Sequence, residues 1–185
     1  MRTRPVLSFV VLQLGWFASV LGAAHGHPWL GPVVVLGSLA VHVRLQPATA
    51  RTQEVLVLAL AAAIGLLVDA ALFRAHVTAV GDARIPPAWL VVLWPNVAAA
   101  TAPTGSLHAL ARRPLLGALA GAVAGPLAYD AGYRLGAIEL DRARLFVIAL
   151  AWSGVLPIFF ALRSRIAATA LPNVDESVKG TTGEP

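Results

Sequence analysis

Cysteine is absent from this 185-residue chain. Its absence excludes disulfides, thiolate metal sites and cysteine nucleophiles. Charge is scarce as well: Asp, Glu, Lys and Arg make up 12% of residues, about half of the roughly 25% usual in a soluble domain. So little charge cannot clothe a water-facing surface on all sides. Recognisable reaction signatures are missing too. There is no G-x-S-x-G elbow, no phosphate-cradling glycine loop and no H-E-x-x-H. Ser38, Ser153 and Thr101 have no obvious base beside them, so no triad can be assembled.

What the chain has instead is apolar residues, 58% of the total, with a mean hydropathy of +0.75. Hydrocarbon is the solvent that fits such a composition. The net charge of +5 and pI near 11 invite a nucleic-acid reading. However, 13 of the 14 basic residues are Arg, and they sit in short groups between apolar runs rather than along one stripe. That is how membrane-flanking anchors are placed. Nucleic acid is therefore not an expected partner; membrane lipids are.

A spanning helix takes roughly 20 apolar residues at 1.5 Å each. Six segments qualify or nearly so: Pro5 to Ala24, Trp29 to Val43, Val55 to Phe73, Ala88 to Ala102, Leu115 to Tyr133 and Leu145 to Leu162. The expected fold is an all-α polytopic membrane bundle over residues 1–165. A polar tail, residues 166–185, is predicted to be disordered and cytoplasmic. Arg2 and Arg4 before a run ending in Gly22-Ala23-Ala24 also fit a cleavable signal, although Gln13, Gly15 and Trp16 interrupt that run. Loop arginines set the orientation. Arg2, Arg4, Arg44, Arg51, Arg112, Arg113, Arg163 and Arg165 fall on one side; Arg74, Arg84, Arg134, Arg142 and Arg144 fall on the other. The larger group predicts both termini in the cytoplasm.

The fifth segment repeats glycine every four residues at Gly117, Gly121 and Gly125, a strip on which another backbone can pack closely. Packing within the chain is preferred to a homodimer seam, and the oligomeric state stays open. Pro95, Pro126 and Pro157 should kink their helices. Gln13 and Asn96 lie near the midplane, where amides usually bond across helices. Trp29, Trp89 and Trp94 fit an aromatic belt on the outer side.

Acids inside a span cost on the order of 2.5–3.5 kcal/mol at the helix centre, so Asp69 and Asp130 stand out. Arg134 is one turn beyond Asp130, and Arg74 lies five residues past Asp69. The topology places these four near one membrane surface with His25, His27, Tyr129 and Tyr133. One reading makes the group a cavity for an anionic head, a proton or a metal. The other makes each Asp–Arg pair self-neutralising, with Arg reaching outward. Two imidazoles on a turn give at most two of the three or four ligands zinc takes, and although Asp69 or Asp130 could complete the set, nothing in the spacing demands it. No metal and no cofactor is expected.

Several short segments carry a family resemblance. Gln13-Leu14-Gly15-Trp16-Phe17, Val20-Leu21-Gly22-Ala23 and Pro28-Trp29-Leu30-Gly31-Pro32 come first. Gly65-Leu66-Leu67-Val68-Asp69, Pro87-Ala88-Trp89 with Trp94, Gly125-Pro126-Leu127-Ala128-Tyr129 and Arg134-Leu135-Gly136-Ala137 follow. Together they resemble an uncharacterised bacterial inner-membrane family, domain of unknown function 2878. Pro95-Asn96 and Pro103 depart from the plainer fourth segment expected there. The resemblance implies a bacterial cytoplasmic membrane and a helix count; it brings no activity. Three functions stay open. A non-enzymatic scaffold or accessory subunit, which would also meet other membrane proteins, is preferred. A small-solute or proton carrier using Asp69 and Asp130 is the second, and a lipid-modifying enzyme the third.

Overall fold

The computed structural model describes residues 3–168; Arg2 and most of the predicted tail lie outside them. The fold is a helical membrane bundle. In chain order it runs α1 (Thr3–Ala24), α2 (Leu30–Arg44), α3 (Ala48–Arg74), β1 (Thr78–Ala79), α4 (Ala88–Val91), α5 (Leu93–Ala100), α6 (Pro114–Arg134), β2 (Glu139–Leu140) and α7 (Leu145–Ala168). Among the described residues, four helices are long and apolar enough to cross a bilayer alone: α1, α3, α6 and α7. Two apolar segments, α2 and Ala88–Ala100, are shorter; at 1.5 Å per residue each covers about 20 Å of a hydrocarbon core roughly 30 Å thick.

Local chemistry sets these boundaries. Pro95 has no N–H to give the Val91 carbonyl, so the fourth predicted segment is divided at Val92 into α4 and α5. It stops at Ala100, two residues before the expected end. By contrast, α6 and α7 run through Pro126 and Pro157 as continuous helices. Three helices end on one side of the bundle with a left-handed residue: Gly26 after α1, His76 after α3 and Gly136 after α6. In each, the next residue bonds back to the carbonyl five positions earlier, at Gly22, Leu72 and Gly132. On that side β1 and β2 form a two-residue antiparallel ladder, pairing Thr78 with Leu140 and Ala79 with Glu139. The ladder ties the α3–α4 connector to the α6–α7 connector.

The helices pack in two neighbourhoods joined through the middle. α6 lies along α7, α1 lies along α2 and α5, and α3 contacts both α5 and α7. The short α5 is the centre: Trp94, Asn96, Ala98 and Ala100 are all buried. Outside, the bundle shows apolar side chains to its surroundings, among them Leu14, Val33, Leu67, Leu119, Val123 and Leu150. Such a continuous apolar belt around a compact bundle suits lipid and not water.

Two expected boundaries are corrected. α3 begins at Ala48 after Pro47, not at Val55, which brings Glu54 into the helix. α7 continues past Leu162 to Ala168, carrying Arg163 with it and reaching beyond residue 165, the expected end of the bundle.

Candidate functional site

Asp69 is fully buried on α3, and its carboxylate is bonded from two other elements. Trp94 Nε1 on α5 donates to one oxygen at 2.7 Å, and the Tyr129 hydroxyl on α6 donates to the other. Gly65, one turn earlier on the same face of α3, makes the first bond feasible. A Cβ there would fall on the Trp94 ring, so only glycine leaves room for the indole to lie against α3 and reach Asp69. Trp94 in turn stacks on Trp152 of α7, with centroids 4.8 Å apart and planes 21° from parallel. Four helices are thus joined through one acid and three aromatic rings.

Those aromatics form a wall of a cavity of about 460 Å³, within the range of small-molecule sites. One face of α1 contributes Phe9, Leu12, Gln13, Trp16 and Val20. The opposite side is the alanine face of α6, Ala120, Ala124 and Ala128, with Leu127 and Gly132. Trp89 of α4, Trp94 of α5 and Trp152 and Leu156 of α7 also line it. The rim residues Phe9, Ala124 and Leu127 are exposed, so the cavity opens sideways between α1 and α6, at the depth of the apolar belt. Among the described residues, no Asp, Glu, Lys, Arg or His lines it. The polar side chains that line it are neutral: the Gln13 and Asn96 amides, the Tyr129 phenol and the indoles of Trp16, Trp89, Trp94 and Trp152. Asp69 sits one hydrogen bond behind the wall.

The predicted polar cluster is divided by the fold. Asp69 and Tyr129 share the buried bond just described. Asp130 forms a separate group at the helix end, with Arg134 Nε at 2.6 Å and Arg142 Nε at 2.9 Å. No ion pair joins Arg74 to Asp69 among the described residues; Arg74 is exposed at the end of α3. The expected Asp69–Arg74 approach is replaced by donors from other helices, because the Asp69 side chain points into the bundle and Arg74 out of it. His25 turns back on the Leu21 carbonyl at 2.8 Å, and His27 meets Trp29 edge-on at 6.3 Å. Both histidines and Tyr133 are exposed and join neither acid.

The glycine strip faces α7. A Cβ on Gly121 would strike the Trp152 carbonyl, and one on Gly125 would strike the Trp152 ring. Gly117 is looser, with Phe160 at 3.6 Å. Asn96 Nδ2 donates to the Leu12 carbonyl of α1 at 3.0 Å, made accessible by Gly15, against which the amide packs. Gln13 instead lines the cavity. Of the three tryptophans assigned to a belt, only Trp29 is exposed; Trp89 and Trp94 are core residues at 3% and 2% exposure.

Among the described residues, the most connected ionic group lies at the opposite end of the bundle, and sequence reasoning does not find it. Glu54, buried on α3, takes both terminal nitrogens of Arg163 on α7, one of them at 3.0 Å, and His42 Nε2 of α2 at 2.8 Å. Arg163 also donates to the Ala98 carbonyl at 3.1 Å and to Thr101 Oγ1 at 3.2 Å. Starting the third segment at Val55 leaves Glu54 in a connector, and the loop count puts Arg163 among the flanking arginines. The available signal was Pro47, a natural helix start that puts Glu54 two turns inside α3.

This architecture defines a class: a helical membrane bundle with a sideways-opening, uncharged aromatic cavity. Within that class, the chain belongs to the family described as protein of unknown function DUF2878, whose model matches residues 5–158. Neither the curated proteins nor the solved structures contain a match to it.

Proposed function

We propose that this chain is a non-enzymatic, multi-pass accessory protein that binds an apolar ligand drawn sideways from the bilayer, and that it resides in a bacterial cytoplasmic membrane with both termini inside. The cavity between α1 and α6 carries this reading, because its rim is made of lipid-exposed side chains. A bundle that serves only as scaffold has no need of such a space. The arginine distribution supports the orientation. The enzyme alternative, which needs His25 and His27 to meet the acids, finds no support in them: both are exposed and neither lines the cavity. The carrier alternative retains one: Asp69, reached through Tyr129. Asp130 gives it none, being held by Arg134 and Arg142.

The test is photolabelling in lipid nanodiscs with a phospholipid bearing a diazirine in its acyl chain. Labels, located residue by residue by fragmentation, should concentrate on Trp16, Ala120 and Trp152. Ala124→Trp, a change at the exposed rim, should reduce that labelling several-fold and leave Val123 and Leu150 labelled as before. Uniform labelling of cavity and outer face, insensitive to Ala124→Trp, overturns the proposal.

A further inference from the structure

Resting on that reading, we infer that the cavity takes a neutral lipid with a planar, oxygen-substituted ring, of the isoprenoid quinone type, in preference to a charged acyl lipid. Four of the five tryptophans in the chain, Trp16, Trp89, Trp94 and Trp152, line this one space together with Tyr129. Aromatic faces and edges on several sides favour a flat ring, which meets them in offset-stacked or edge-to-face contact. A flexible acyl chain gains no comparable orientation from them.

The polar groups select further. Among the described residues no charged side chain lines the cavity, so an anionic or cationic head drawn inside would be desolvated without a partner. A ring carrying neutral oxygens escapes that cost. Gln13 supplies the complement: it is a lining residue whose side chain makes no hydrogen bond to another described residue, and an amide both donates and accepts. It can donate to a ring carbonyl or accept from a ring hydroxyl. Gln13 stands one helical turn from both Phe9 at the rim and Trp16 in the interior. A ring held by Gln13 and Trp16 therefore has a direct path for its tail past Phe9 into the lipid.

The inference is tested in nanodiscs of zwitterionic lipid by titrating a decyl-tailed benzoquinone and following tryptophan fluorescence. Saturable quenching is expected, together with displacement of the acyl photolabel from the cavity residues. A decyl-tailed carboxylate should displace it at least tenfold less effectively. Gln13→Leu, and Gln13→Met as a second variant, should weaken quinone binding about tenfold while acyl labelling persists. If the acyl label enters the cavity but the quinone neither saturates nor displaces it, or binds Gln13→Leu and Gln13→Met as tightly as the unmodified chain, the inference falls and the broader proposal stands. If neither probe enters, both fall.

Discussion

An acid inside a membrane span is read first for a cationic partner, and Asp69 shows how that habit misleads. Its charge is met by an indole N–H and a phenol O–H from two helices remote in sequence. Asp69→Leu strands both donors in the core, each costing about 1–3 kcal/mol. A loss of stability of about 2–6 kcal/mol is expected, read as thermal unfolding in detergent. Asp69→Asn retains one acceptor and should lose less than half as much. Glu54 behaves differently because its main partner carries a full charge. Glu54→Ala leaves the part-buried Arg163 without its acid, though still bonded to Thr101 and the Ala98 carbonyl, and should cost about 1–3 kcal/mol. The double variant Glu54→Leu with Arg163→Leu should lose less than Glu54→Ala alone, which the same melting measurement would show. None of these partnerships was legible in the sequence. Hydrogen bonds to Asp69 span 25 and 60 positions, and those from Arg163 to Glu54 span 109, far beyond the spacing that helix periodicity relates.

Among the elements, α6 was the most legible. Its four-residue glycine repeat pointed to a close helix contact, and that face lies on Trp152 of α7. The strip is graded. Gly121→Ala and Gly125→Ala both drive a methyl into Trp152 and should lower the yield of folded protein and its melting temperature sharply. Gly117→Ala, with ordinary contact distance to Phe160, should change melting by little or raise it through better helix propensity. Equal loss at all three positions would contradict this order. The alanines beside the glycines, offset around the helix, were not legible as a cavity wall; that depended on α1 standing opposite them. The fourth segment shows the reverse case. Its proline was visible, yet its central burial was not, since hydropathy does not distinguish a helix facing lipid from one facing other helices.

For the whole molecule, the apolar belt has a direct consequence. The purified chain should stay monodisperse in detergent or nanodiscs and aggregate when detergent is removed, as size-exclusion chromatography with light scattering would report. Folding to a monodisperse species in plain buffer would remove the basis for reading a membrane protein. Composition and apolar run length determined the membrane setting, the all-α class and the approximate number and limits of the helical segments, because a backbone in hydrocarbon must satisfy its own hydrogen bonds and has few ways to do so. The glycine spacing and the cost of buried acids marked which helices would matter. Only the tertiary structure decided which acid pairs with what, which tryptophans leave the surface for the interior, and where space remains between helices. Those outcomes depend on how the helices are rotated and arranged around α5, and neighbours along one chain carry almost no record of that.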